Sequence, residues 1–105
     1  MAQFIITYLA GDRPSSPEEG LKHFSKYQEW LSSLGSSAVS PMNPIKNTST
    51  IHPDGSVTAG SKTSMSGYTI VEAESIEAAI SIAKACPFLD INGSLEVSEL
   101  IKMPG

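Results

Sequence analysis

The chain holds two histidines and one cysteine, and His23 stands in the company that most suggests chemistry. Tyr27 and Trp30 follow it four and seven residues on, which places the three along one line of a helix. A histidine at the border of an apolar stripe can titrate near neutrality and pass protons. Its structural alternative is a fixed hydrogen bond that holds helix to sheet. Cys86 lies in helical register with Ala79 and Ala83, which aims it at the core, where a thiol behaves as a small hydrophobe. As a nucleophile it would need a base, and His23 is the histidine on the other helix that could serve. Tyr8 and Tyr68 fall in strand-like runs and can turn their hydroxyls toward a ligand between sheets, or bury the ring and bond a neighbour. His23 is thus the candidate catalytic residue, and Tyr8, Tyr27, Tyr68 and Cys86 are the candidate ligand-binding residues. His52 sits at a hairpin tip, Asp12 and Arg13 follow the first strand, and Met42 lies between two prolines. Turn chemistry, solvation and gap filling account for these. No local spacing of histidine and cysteine fits a structural metal, so no metal and no cofactor is expected.

The elements that must position these residues are punctuated clearly. Gln3 to Leu9 is rich in β-branched and aromatic residues, apolar on both faces, and predicts a central strand. Ser16-Pro17-Glu18-Glu19 predicts a helix start, with Ser16 as cap and Glu19 completing a reciprocal capping box. That helix should run to Leu34 and stop at Gly35, with Leu21, Phe24, Leu31 and Leu34 as its inward stripe. Ala38-Val39 begins a second strand that Pro41 and Pro44 confine to an edge or a bulge. A hairpin over Ser49 to Thr58 turns at Pro53-Asp54-Gly55. Tyr68 to Ala73 is the clearest later strand, and Ser75 caps a second helix in which Ile76, Ala79, Ile80 and Ala83 share a face. Pro87 ends it, and Asn92-Gly93 turns into a last strand, Ser94 to Ile101.

This order predicts one α+β domain over residues 1–105: a roughly four-stranded sheet with an inserted hairpin and both helices on one face. The other face then lacks cover within the chain. Either alternation of the first strand puts large apolar side chains there, and each one left in water forgoes about 1.5–3 kcal/mol. Pairing with a second copy through that open face is the expected remedy, and a hydrophobic ligand is the rival one.

Composition excludes several classes of partner. Net charge is −4, from 7 basic and 11 acidic residues, and the lysines are scattered, so no basic stripe exists for nucleic acid. No run approaches the roughly 20 apolar residues that span a bilayer, and the first residues lack a secretory signal pattern. A single cysteine suits a reducing, cytoplasmic setting.

The stretch Gly67-Tyr-Thr-Ile-Val-Glu-Ala-Glu-Ser-Ile-Glu-Ala-Ala-Ile, the run to Ala85-Cys86-Pro87, and Gly93-Ser-Leu-Glu-Val97 resemble the YCII-related proteins, and within them the DGPF-domain branch. The first strand, the helix with His23 and Trp30, and the Asp54-Gly55 turn fall in the same order, so the resemblance covers nearly the whole chain. It implies a ferredoxin-like domain forming a dimeric α+β barrel. It also implies a pairing of a first-helix histidine with an aspartate placed before a proline after the second helix. His23 matches the histidine, whereas Cys86 precedes Pro87, as DGPF-type members often have it. The DGPF motif itself is replaced by Ala59-Gly60-Ser61. The functional expectation is a minor enzyme acting on a small organic molecule with His23 as acid or base. The alternative is a non-catalytic dimeric module that binds a small ligand or supports a partner.

Overall fold

The structure, a computed structural model, describes residues 1–102; the last three residues of the expected domain lie outside the described residues. The chain order is β1 (Ala2–Ala10), α1 (Pro17–Leu34), β2 (Ala38–Pro44), β3 (Ser49–Ile51), β4 (Val57–Ala59), β5 (Met65–Ala73), α2 (Ile76–Lys84) and β6 (Gly93–Glu99). Short 3-10 turns cover Gly35–Ser37 and Pro87–Ile91. Four strands form one sheet in the order β2-β5-β1-β6, every neighbour antiparallel, which is the ferredoxin-like arrangement that the family resemblance implies. β3 and β4 form a separate two-stranded sheet, with Ile51 paired to Val57 and both exposed.

β1 is central because both its faces are apolar. Phe4, Ile6 and Tyr8 point to the helices and are buried, with Thr69, Val71 and Ala73 of β5 beside them. Leu95 and Val97 of β6 complete that face. The helix-free face is mixed. Ile5, Leu9, Tyr68 and Ile70 form an apolar band, half-buried, while β6 contributes Ser94, Glu96 and Ser98. Its greasy part is therefore narrower than the alternation of β1 alone suggests.

Local chemistry explains the helix ends. The Ser16 side chain accepts from the Glu19 amide at 3.2 Å, and Pro17 occupies the first turn, where its missing N–H costs nothing. The expected capping box differs in one partner: the Glu19 carboxylate takes the Ser15 amide at 3.0 Å and the Ser15 hydroxyl at 2.6 Å, one residue earlier than the cap. These bonds hold the Glu19 carboxyl below the usual range, since they favour the charged form. Gly35 closes α1 at φ 54°, a left-handed value that a side chain would strain. Ser75 caps α2 by accepting from the Ala78 amide at 3.1 Å.

The inward face of α1 departs from the sequence expectation. Leu31 and Leu34 pack against the core, but Leu21 is 68% and Phe24 45% exposed. The deepest side chain of the helix is Trp30, which also donates its indole N–H to the Ile82 carbonyl of α2 at 3.1 Å. Trp30 wins because it offers the largest apolar area together with a polar tip, and both are satisfied only against α2. Its line continues through Tyr27, 5.9 Å away between ring centroids, to His23. Docking through the aromatic line turns the first two turns of the leucine stripe out of the core.

Trp30→Ala is expected to cost about 3–5 kcal/mol, the range for removing a buried tryptophan. Urea unfolding of the two proteins checks this, and a loss below about 1 kcal/mol would show that α1 docks by some other contact.

Candidate functional site

The site begins with an irregular edge strand. Pro41 and Pro44 bring no amide hydrogen to β2, so its ladder with β5 is interrupted, with register shifts between Ala38 and Ser40 and again between Ser40 and Asn43. Asn43 patches the gap: its amide donates to the Ser40 carbonyl at 3.0 Å and to the Tyr68 carbonyl at 3.2 Å. The facing residue must be glycine. A Cβ on Gly67 would stand 2.9 Å from the Asn43 oxygen and 3.2 Å from the Pro44 Cα, both of them backbone. The bulge leaves the Pro41 carbonyl to side chains, and Thr69 donates its hydroxyl to it at 2.7 Å.

Around that carbonyl three hydroxyls gather from three elements. Tyr8 of β1 hydrogen-bonds the Thr69 hydroxyl, and Tyr27 of α1 bonds Tyr8 at 2.8 Å. Tyr27 also stands 3.4 Å from the Thr69 hydroxyl and 3.5 Å from the Pro41 carbonyl. Burial pushes the Tyr8 phenol well above the ordinary tyrosine value, so it stays protonated throughout the physiological range.

This cluster closes one end of a cavity of about 220 Å³, lined by Tyr8, Tyr27, His23, Phe24, Phe88 and, from the β2–β5 seam, Met42, Asn43 and Gly67. Its volume lies below the 300–1,000 Å³ of drug-sized sites and suits a single ring. The Phe88 ring leans on Tyr8 at 5.2 Å between centroids and is wedged against Gly93, where any Cβ would collide with it. α1 places His23 and Tyr27 one turn apart on the same side, so both reach this cavity. His23 is half-buried and borders a second, larger groove of about 830 Å³ as well. That groove carries Asp12, Arg13, Lys22, Lys26 and Asp90, long or charged side chains that make it the wetter of the two.

Of the sequence candidates, His23, Tyr8 and Tyr27 come together at the small cavity. Tyr68 sits on the other face of the sheet, opposite Thr7, and Cys86 is buried in the core at 2% exposure. Phe88, Thr69, Asn43 and the Pro41 carbonyl complete the site without having stood out in the sequence. The one signal for them was the pair of prolines that forces the edge strand to bulge. Asp12 receives the Asn92 amide at 2.6 Å, which ties the β1–α1 loop to the turn before β6. Among the described residues no group of three histidine, cysteine or acidic side chains could hold a metal ion. No helix there is long and apolar enough to cross a membrane.

The fold and this side-on cavity define a small ferredoxin-like α+β protein with a ring-sized cavity between the first helix and an edge strand. A family model of the YCII-related domain matches residues 5–104, and the chain belongs to that family. Among curated proteins none matches. A solved structure similar to this chain is 5-chloro-2-hydroxyhydroquinone dehydrochlorinase (TftG) from Burkholderia phenoliruptrix in complex with 2,5-dihydroxybenzoquinone. It superposes with a TM-score of 0.51 at 22% identity, over 94% of this chain and 93% of that one. That likeness shows the shared fold.

Burial pushes the Cys86 thiol up to about 11 from 9.0, with the nearby Asp90 charge adding to the effect. A thiol whose folded value is raised stabilises the protein fully below its unfolded value and loses that contribution as pH rises toward the folded one. The unfolded chain releases this proton first, so stability falls with rising pH across the window from 9.0 to about 11. Tyr8, also raised, steepens the alkaline side. Cys86→Ala is expected to flatten the decline in thermal midpoint between those pH values. An unchanged slope would show that the thiol does not drive it.

Proposed function

We propose that this YCII-related protein is a small acid–base enzyme acting on a hydroxylated ring compound, with His23 as the proton-transfer group. The observation that carries the reading is that His23, Tyr8 and Tyr27 line one ring-sized cavity between Phe24 and Phe88. Histidine is the side chain that most often serves as general acid or base, whereas the tyrosine hydroxyls are suited to hydrogen bonding and the phenylalanines to stacking. The neighbouring fold whose substrate is a chlorinated hydroxyhydroquinone makes 2-hydroxyhydroquinone a sensible probe. Protonation of a ring carbon by His23, with loss of a hydroxyl proton, followed by the reverse step, exchanges a ring hydrogen with solvent. The free thiol of Cys86 fits a reducing, cytoplasmic compartment for such an easily oxidised class of compound.

Under anaerobic conditions in D₂O, the protein is expected to speed ring deuteration of 2-hydroxyhydroquinone by 10²-fold or more, roughly the scale of general acid–base catalysis. His23→Gln should lose that acceleration while binding changes by no more than about threefold, read by proton NMR and calorimetry. Exchange that persists in the variant removes His23 from the chemistry. Tight binding without exchange by the wild-type protein favours the alternative of a non-catalytic ligand-binding module.

We further propose that two copies pair through the helix-free face of the sheet, around Ile5, Leu9, Tyr68 and Ile70. The support is a contiguous apolar band that neither helix covers, of the kind that two-fold dimers bury. Sedimentation equilibrium at micromolar concentration should return twice the chain mass, and Ile70→Asp should return the single chain. A wild-type monomer under those conditions removes the dimer.

A further inference from the structure

The hydroxyl cluster has a direction, and proton bookkeeping reveals it. Each hydroxyl carries one hydrogen, whereas a carbonyl can only accept. The Pro41 carbonyl, freed from the ladder by the β2 bulge, receives the Thr69 hydrogen at 2.7 Å. Thr69 has then only lone pairs for Tyr8, so Tyr8 must donate to it. Tyr8 in turn has only lone pairs for Tyr27, whose hydrogen goes to Tyr8 at 2.8 Å or, less directly, to the Pro41 carbonyl at 3.5 Å. Either way the Tyr27 hydrogen is committed within the protein. The opposite order, with Tyr27 feeding the carbonyl at 3.5 Å, would leave the 2.7 Å contact of Thr69 with that carbonyl without a hydrogen between its oxygens, and it too would spend the Tyr27 hydrogen inside the protein. The buried end lies at Tyr8 and Thr69, and the end nearer the surface is Tyr27, which lines the cavity.

We propose that Tyr27 faces the cavity as a hydrogen-bond acceptor alone, so that the site selects a ring bearing a neutral hydroxyl over the same ring as its ether or its anion. This rests on the cavity being the ligand site, and it narrows the ligand class there. A phenol or a protonated hydroxyl on a ring completes the chain as its first donor. An ether oxygen or a phenolate would set lone pair against lone pair, and the Tyr27 oxygen would lose its water without gaining a partner. Tyr27 is therefore a specificity-determining residue, held in that role by Tyr8, Thr69 and the Pro41 carbonyl.

The test uses two ring-sized probes, 4-nitrophenol and its methyl ether 4-nitroanisole, in which a methyl group replaces the donor hydrogen, with affinities from calorimetry or ligand-observed NMR. The neutral phenol is expected to bind about tenfold more tightly than the ether, the worth of one net hydrogen bond. Affinity for 4-nitrophenol should also fall about tenfold as pH is raised through the ligand's own ionisation, while affinity for the ether stays level. Tyr27→Phe, verified as folded by circular dichroism and thermal midpoint, should bind both probes alike. Equal affinities for phenol and ether in the wild-type protein overturn the inference, as does tighter binding of the phenolate. The wild-type pH series decides the matter even if the variant fails to fold. If neither nitro compound binds while 2-hydroxyhydroquinone does, the donor rule alone fails. If none of the three binds, the cavity reading fails with it.

Discussion

One carbonyl oxygen left over from an interrupted β-ladder organises the candidate site. A regular edge strand would give the Pro41 carbonyl an amide partner on β5, but prolines at 41 and 44 make that regularity impossible. A buried polar group without a partner costs on the order of 1–3 kcal/mol. Here Thr69, fully buried, supplies the donor, and its own oxygen must then be satisfied by Tyr8, and Tyr8 by Tyr27. Each satisfied group creates the demand for the next. The chain of demands runs from the edge strand through the sheet to α1 and sets where the helix stands over the cavity.

Glycine and phenylalanine placements make the same constraint durable. Gly67 lets the bulged backbone of Asn43 and Pro44 approach where no side chain would fit. On the other side of Tyr8, Phe88 fills the space that Gly93 leaves open, so the Tyr8 ring is held between Phe88 and Tyr27. The cavity is the volume these rings cannot fill. Its polar groups arrive in fixed orientations, the preorganisation a binding site needs to discriminate between similar ligands. Among the described residues no buried side-chain polar atom lacks a partner, so the cluster is closed within the protein and open only at its Tyr27 end.

The family places this chain among YCII-related proteins, and the comparison fold shows how far the architecture extends. Within that frame Cys86 stands where the resemblance implies an acidic partner for the histidine. It is packed among Ala79, Ala83 and the sheet, its thiol held neutral by burial. The acidic groups that share a groove with His23 are instead Asp12, Glu19 and Asp90, on the β1–α1 connection, the start of α1 and the turn after α2. The surroundings of the histidine are thus built from loop ends and not from the inward face of α2.

Much of this was written into local sequence. Ser16-Pro17, Gly35, Ser75, Pro53-Asp54-Gly55 and Asn92-Gly93 each act through their own backbone and neighbours, so element ends and the hairpin were legible residue by residue. The two-sided apolarity of β1 marked it as central, and the prolines marked β2 as an irregular edge. The tertiary structure alone decided which face of α1 turns inward, because Trp30 satisfies its ring and its N–H only against α2, which comes much later in the chain. It alone sent Tyr68 to the helix-free face and brought Tyr8, Tyr27, Pro41 and Thr69 to one point. Short-range preferences act on a few consecutive bonds and can be read in order. A hydrogen-bonded cluster drawn from three strands and a helix exists only after the sheet has set its register, and no single stretch of the sequence contains it.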